Sequence, residues 1–223
     1  MPQKYTTVPI TTHYWRPGEN YLRQIIDSIK NKVEENDFVT ISEKAISTAL
    51  GNLVDENKIQ HGWLAYFLAK YWMRLFWGYF LGSLCHLKQK TIQRFRAYPI
   101  KEGCAHKQVA LQYAGFLQAL MPWSEGGIDG SNLPYSYVSL PLKDAQHIAQ
   151  RTHEHIKAKL KKNVVVMIVD TDKTYSTRNF HFTPRPKPIK KIHSFGGVFI
   201  YVVGRFFNMK RGATPIAVSY THL

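Results

Sequence analysis

Two acids, Asp170 and Asp172, end the stretch Asn163-Val164-Val165-Val166-Met167-Ile168-Val169-Asp170-Thr171-Asp172-Lys173-Thr174. The β-branched run before them reads as a buried central strand. In α/β proteins, ligands collect where such strands end. Side chains alternate along an extended chain, so Asp170 and Asp172 would point the same way. Two carboxylates at one place repel unless a cation or proton lies between them. A divalent ion carrying a phosphate answers that requirement, and a polar strand exit into a turn is the plain alternative. A second candidate is the loop Ser124-Glu125-Gly126-Gly127-Ile128-Asp129-Gly130-Ser131-Asn132, where glycines would let backbone amides approach a phosphate. His147, His153 and His155 share one predicted helix, but His153 and His155 do not share a face of it, which argues against zinc.

The elements that must position these residues can be read from periodicity. Thr7-Val8-Pro9-Ile10 is expected to be an edge strand, because its proline cannot donate to a central ladder. Leu22, Ile25, Ile26, Ile29 and Val33 recur at helical spacing, predicting a helix over 21–33. Phe38 to Ser42 reads as a second strand, and residues 44–52 as a loop or short helix. Trp63 to Leu87 is heavily aromatic but interrupted by Lys70 and Arg74. A membrane span needs about 20 mainly apolar residues, so the expectation is a helix buried in the core or in a homodimer interface; a membrane-surface helix is the alternative. Residues 88–108 read as irregular, 109–120 as strand or short helix, and 142–160 as a helix. Residues 182–188 read as a rigid, basic, proline-rich linker, and 194–203 as β-prone. The fold class is α/β, of mixed α+β character: a mixed sheet with flanking helices.

Composition narrows the function classes. The 223 residues are 44% hydrophobic and 20% charged, which marks a globular chain. Two cysteines make neither a disulfide framework nor a zinc site, and a cytoplasmic setting is expected. The net charge of +15 is uneven: residues 151–223 carry 14 Lys and Arg against 3 Asp and Glu. That bias points to an anionic partner.

Three segments together resemble the coenzyme F-420-0:L-glutamate ligase family. Glu43-Lys44-Ala45-Ile46-Ser47-Thr48-Ala49-Leu50-Gly51 is similar to its Gln-Lys-hydrophobic-hydrophobic-Ser-Lys-Ala-Glu-Gly. Gly127-Ile128-Asp129-Gly130-Ser131-Asn132 is close to its Gly-Ile-Asp-x-Ser-Asn, and Ile168-Val169-Asp170-Thr171 to its strand ending in Asp-Thr. The resemblance implies that family's fold and GTP-driven amide ligation, in which a substrate carboxylate becomes an acyl phosphate and the amine of L-glutamate displaces phosphate. It implies catalytic roles for Lys44, Asp129 and Asp170. Lys44, Ser47, Gly127, Asn132 and Thr171 would contact GTP, and Asp129, Asp170 and Thr171 would hold Mg²⁺ or Mn²⁺, with K⁺ a further ion. Partners would be nucleotide, L-glutamate, an anionic small-molecule acceptor and a second copy of the chain; nucleic acid and membrane are not expected. The chain departs from the pattern at Thr48 and Leu50, where the family has Lys and Glu, and at Asp172-Lys173.

Residues 1–217 are expected to form one domain, incomplete at its C-terminus, with 218–223 a non-native tail. Two other functions fit parts of the sequence. Asp170-Thr171-Asp172-Lys173-Thr174 resembles the haloacid-dehalogenase-type phosphatase motif, with Asp170 as nucleophile. The basic C-terminal third suits a nucleic-acid or membrane-surface module without catalysis.

Overall fold

A computed structural model describes residues 5–123, 125–134 and 136–219. Helix α1 (Tyr21–Ile29) starts at Asn20, whose side chain accepts the Arg23 N–H, and it buries Tyr21, Leu22, Ile25 and Ile29. Strand β1 (Phe38–Ser42) feeds directly into helix α2 (Glu43–Ala49). Strand β2 (Leu53–Asp55) pairs antiparallel with β3 (Tyr137–Ser139) in a separate two-stranded sheet.

The main sheet is built around β4 (Val165–Thr177). Its first half runs parallel to β1, with Phe38 opposite Val165 and Ser42 opposite Val169. Its second half pairs antiparallel with β5 (Phe180–Thr183), which continues to β6 (His193–Ser194). On the other edge β7 (Lys210–Val218) runs antiparallel along almost the whole of β4. Helix α8 (Ala145–Leu160) packs on β4 and β7. The fold is therefore a mixed sheet with flanking helices, as expected from the sequence.

Most of the chain between β2 and β3 is helical. Helix α3 (Trp63–Phe67) runs into a wider π-helical stretch, Leu68–Leu81, and then into α4 (Gly82–Leu84). In the wide stretch amides bond five residues back, as the Gly82 N–H does to the Trp77 carbonyl. Leu68, Met73, Trp77 and Gly82 consequently share one buried face at intervals of four or five residues. Helices α5 (Gln89–Arg96), α6 (Ile100–Tyr113) and α7 (Phe116–Ala119) complete this half, with α9 (Val198–Phe206) against it. Two cores result: one of Trp77, Ile92, Phe95, Val109 and Tyr201, the other of Ile25, Ile46, Ile156, Val166 and Ile168.

Five expectations are corrected. Residues 7–10 form no strand: Val8 is exposed and Pro9 lacks a donor. The helix expected over 21–33 ends at Ile29, though Val33 still packs in the core. Residues 88–108 form α5 and most of α6, their short buried faces (Ile92 and Phe95; Cys104 and Ala105) masked by basic residues around them. Residues 198–206 form a helix despite their β-branched content, because tertiary packing overrides propensity; Gly204 lies so close to the Tyr175 ring that a Cβ there would sit 2.3 Å from it. Finally, β4 does not stop at Asp170 but runs on to Thr177, carried by strand-forming Thr and Tyr residues. Of the suspected tail, Val218 pairs with Met167 and the Ser219 N–H donates to the Val166 carbonyl; residues 220–223 lie outside the described residues.

Candidate active site

Asp170 and Asp172 do face the same way: both are buried, and Thr171 between them is exposed on the other side of β4. The pairing of β4 with β7 slips here, jumping from Asp170 opposite Thr214 to Lys173 opposite Ala213. A bulge of this kind re-aims side chains. It is held by hydroxyls. Thr214 Oγ1 donates to the Asp172 carbonyl at 2.6 Å, so Thr174, 2.9 Å away, must be the donor in the Thr174–Thr214 pair. Thr183 Oγ1 reaches the Lys173 carbonyl at 3.1 Å.

The side chain that closes this acidic face is Arg185, in the segment expected to be a linker, which the structure instead buries. Its Nε lies 2.6 Å from Asp170 Oδ2. One terminal nitrogen donates to both oxygens of Glu43, at 2.8 and 2.9 Å, and the other to the Gly126 carbonyl at 2.6 Å. Pro184 and Pro186 flank it, and a residue before proline is confined to extended backbone. The Arg185 N–H is tied to Thr183 and its carbonyl accepts from Ser194. Arg185, Glu43 and Asp170 are all buried. Burial pushes the Glu43 carboxyl above its ordinary value although Arg185 stands beside it. Burial also works against the guanidinium, but Glu43 and Asp170 outweigh it and raise Arg185.

Lys44, the next residue along α2, turns to the glycine loop. Its ammonium lies 2.5 Å from Asp129 Oδ2 and donates to the Ser131 carbonyl at 2.9 Å and the Ser131 hydroxyl at 2.6 Å. Asp129 also accepts from the Ser131 backbone and hydroxyl. Lys44 and Asp129 keep 22% and 24% of their side-chain surface in solvent, so this pair is reachable while Glu43, Arg185 and Asp170 are buried. Gly127 has φ of 95° and sits under Arg185, where a Cβ would come 2.7 Å from the guanidinium. Asn132, exposed, also takes a left-handed backbone. Ser47 is elsewhere: its hydroxyl is buried and donates to the Leu140 carbonyl.

The loop itself is anchored from below. Glu125 accepts from Lys107 at 2.7 Å and meets His106 at 3.0 Å, while the other nitrogen of His106 lies 2.6 Å from Glu56. Burial opposes the imidazolium, yet Glu125 and Glu56 raise His106 to about 10. Burial likewise opposes the Glu125 carboxylate, but Lys107 and His106 hold it down to about 2. Neither Arg185 nor this network was identified from sequence. The Pro-Arg-Pro spacing was the available signal for the first; nothing in the spacing of Glu56, His106, Lys107 and Glu125 announces the second.

Donor chemistry and charge can now be set against a divalent ion. Glu43, Asp170 and Asp172 bring three buried carboxylates to the one guanidinium of Arg185. The donors are oxygen, the chemistry a hard cation takes. Among the described residues no group of three or more His, Cys, Asp or Glu side chains forms a ready metal cage. The phosphatase alternative needs a nucleophile at a strand exit, whereas Asp170 lies mid-strand beside Arg185.

The three segments that carry the resemblance are thus brought together: Glu43 and Lys44 on α2, Gly126 to Ser131 in the loop, and Asp170 on β4. A family model described as F420-0:Gamma-glutamyl ligase matches residues 9–181. An uncharacterized protein of Methanocaldococcus jannaschii is 41% identical over 219 residues, covering 95% of this chain and 75% of that protein. Matched over most of its length, with the matching segments converging on one acidic site, the chain belongs to the F420-0:gamma-glutamyl ligase family.

Proposed function

We propose that the protein is a GTP- and divalent-metal-dependent ligase that joins glutamate, or a similar amino acid, to a substrate carboxylate by way of an acyl phosphate. The observation that carries this reading is that a reachable Lys44–Asp129 pair and the buried Glu43 and Asp170 carboxylates on Arg185 share α2 and the glycine loop. Asp129 and Asp170 would hold the ion, which when bound would neutralise charge on the transferring phosphoryl group. Lys44 presents a reachable cation, where a phosphate oxygen can exchange with one of its Ser131 contacts. Arg185 contacts Asp170 and the Gly126 carbonyl at the same time, so the carboxylate and the loop are held in one register. Ser47 supports α2 through Leu140, and Thr171 is exposed on the opposite side of β4.

Calorimetric titration of GTP in the presence and absence of Mg²⁺ or Mn²⁺ tests the site, with Asp129→Asn and Asp170→Asn beside the parent. Metal-dependent GTP binding should be at least about tenfold weaker in both variants, since each loses one charged contact of about 1.5–3 kcal/mol. Unchanged metal-dependent affinity in both would remove the site. Phosphate release from GTP that requires both glutamate and a carboxylate acceptor would then establish the reaction class.

A further inference from the structure

The helical stretch from Trp63 to Leu84 has a second face that the core does not use. Trp63, Phe67, Tyr71, Phe76, Phe80 and Leu84 are all exposed, Trp63 to 80% and Phe80 to 69%. The same five-residue hydrogen bonding that keeps Leu68, Met73 and Trp77 inward keeps these residues outward in one stripe. Beyond Leu84 lies α9, in contact through α4 and through His86, whose ring nitrogen lies 3.3 Å from the Phe206 carbonyl. The exposed side of α9 adds Phe199, Val203 and Phe206.

The charge along the segment that carries the stripe has one sign as far as Lys101, with Glu102, exposed, next in the chain. From Trp63 to Lys101 there are seven Lys and Arg and no Asp or Glu. Helix α5 packs along the wide stretch, and the Arg96 guanidinium sits 4.3 Å from the centre of the Tyr79 ring. Lys70 lies over the rings of Tyr66 and Tyr71. Lys88, Lys90, Arg94 and Lys101 are exposed. Apolar rings bordered by basic side chains fit a surface that offers acyl chains beneath a layer of negative charge. A second copy of the chain would meet this face with more positive charge, which disfavours self-association through it. No described helix is long and apolar enough to cross a membrane, so the contact is one of lying on the surface.

We propose that this face docks on an anionic lipid bilayer, with α3, the wide helix and the end of α9 lying in the interface and α5 contacting headgroups. The aromatic rings supply the apolar contact and the basic side chains select the charge.

The experiment is co-sedimentation of the full chain with vesicles of phosphatidylcholine alone and with 30% phosphatidylglycerol, at low and at 0.5 M salt; that composition and salt are roughly those at which surface potential and screening separate the two contributions. Binding should be about tenfold or more tighter on the anionic vesicles and weaken with salt. Phe76→Ser/Phe80→Ser and Lys90→Gln/Arg94→Gln should each lose most of it, while Phe180→Ser, an exposed ring elsewhere, should not. All three should keep the parent's circular dichroism, since the altered residues are exposed. Equal binding to both vesicle types, or none to either, overturns the proposal. So does a dimer in light scattering that Phe76→Ser/Phe80→Ser dissociates, because a second copy would then occupy the face.

Discussion

Replacing Arg185 by methionine keeps the volume of the aliphatic stem and removes the one cation that, among the described residues, touches Glu43 and Asp170. Two hydrogen bonds to Glu43, one to Gly126 and a longer one to Pro186 disappear, together with the ion contact to Asp170. Both carboxylates are left buried, at 3% and 7% exposure. Removing one partner from a buried ion pair costs about 3–5 kcal/mol, because the remaining charge has lost both water and its counter-ion. Native domains hold only about 5–15 kcal/mol in all, so the loss is a large share of stability. With a urea slope of about 2 kcal/mol/M, the midpoint should fall by about 1.5–2.5 M. The pH dependence gives the cause. Burial already holds the Glu43 carboxyl above its ordinary value with Arg185 beside it, and removing the guanidinium raises it further. Stability from a group so shifted is fully present below the unfolded value and is lost as pH rises through the folded one. Arg185→Met should therefore lie closer to the parent at pH 5 than at pH 8. Adding Glu43→Gln, which deletes one stranded charge, should recover part of the loss in a double-mutant cycle. Urea unfolding followed by tryptophan fluorescence at the two pH values measures all of this. A cost under about 1 kcal/mol, the same at both pH values, would refute the view that Arg185 is the counter-ion of a buried acidic group.

Gly127→Ala places a Cβ 2.7 Å from the Arg185 guanidinium in a left-handed backbone, and should lower stability by about 1–3 kcal/mol in thermal unfolding. Thr214→Val removes the donor to the Asp172 carbonyl and the acceptor for Thr174, for about 1–3 kcal/mol by the same assay. The stability difference between the parent and His106→Gln should depend on pH. The histidine's share is present below its ordinary 6.5 and lost as pH rises through about 10. The share of Glu125 is present above its ordinary 4.5 and lost as pH falls through about 2, which Glu125→Gln checks from the acid side.

The parts of the site that recur as local patterns were legible. Lys44, Asp129 and Asp170 sit in short segments whose order along the chain could be matched, and the structure joins Lys44 to Asp129 directly. The central strand declared itself by its β-branched run, but its length did not, because the continuation past Asp170 depends on pairing with β5 and β7 far along the chain. The Trp63–Leu87 aromatic segment was read as helical. Its wide hydrogen bonding could not be anticipated, since the core and solvent faces are sorted only by what packs against them. Arg185 escaped because a basic, proline-rich stretch is compositionally a linker; only its contacts show that the two prolines hold a buried charge. Ser47 was assigned by its place in a motif, and its burial against Leu140 follows from which way α2 rolls on β1, which no spacing encodes.

Arg185 also has a consequence for how this protein comes into being. Its partner Glu43 is 142 positions away in sequence, and Gly126 is 59 away. Contacts at such separation close large loops and belong to the slow, nonlocal part of folding. The early-made segments carrying Glu43 and the glycine loop can adopt their own local structure, but the acidic cluster is neutralised only once the chain beyond β4 has docked. Order at the site is therefore a report on completion of the whole sheet: a nascent or partly unfolded chain holds its carboxylates apart in water and presents no assembled site.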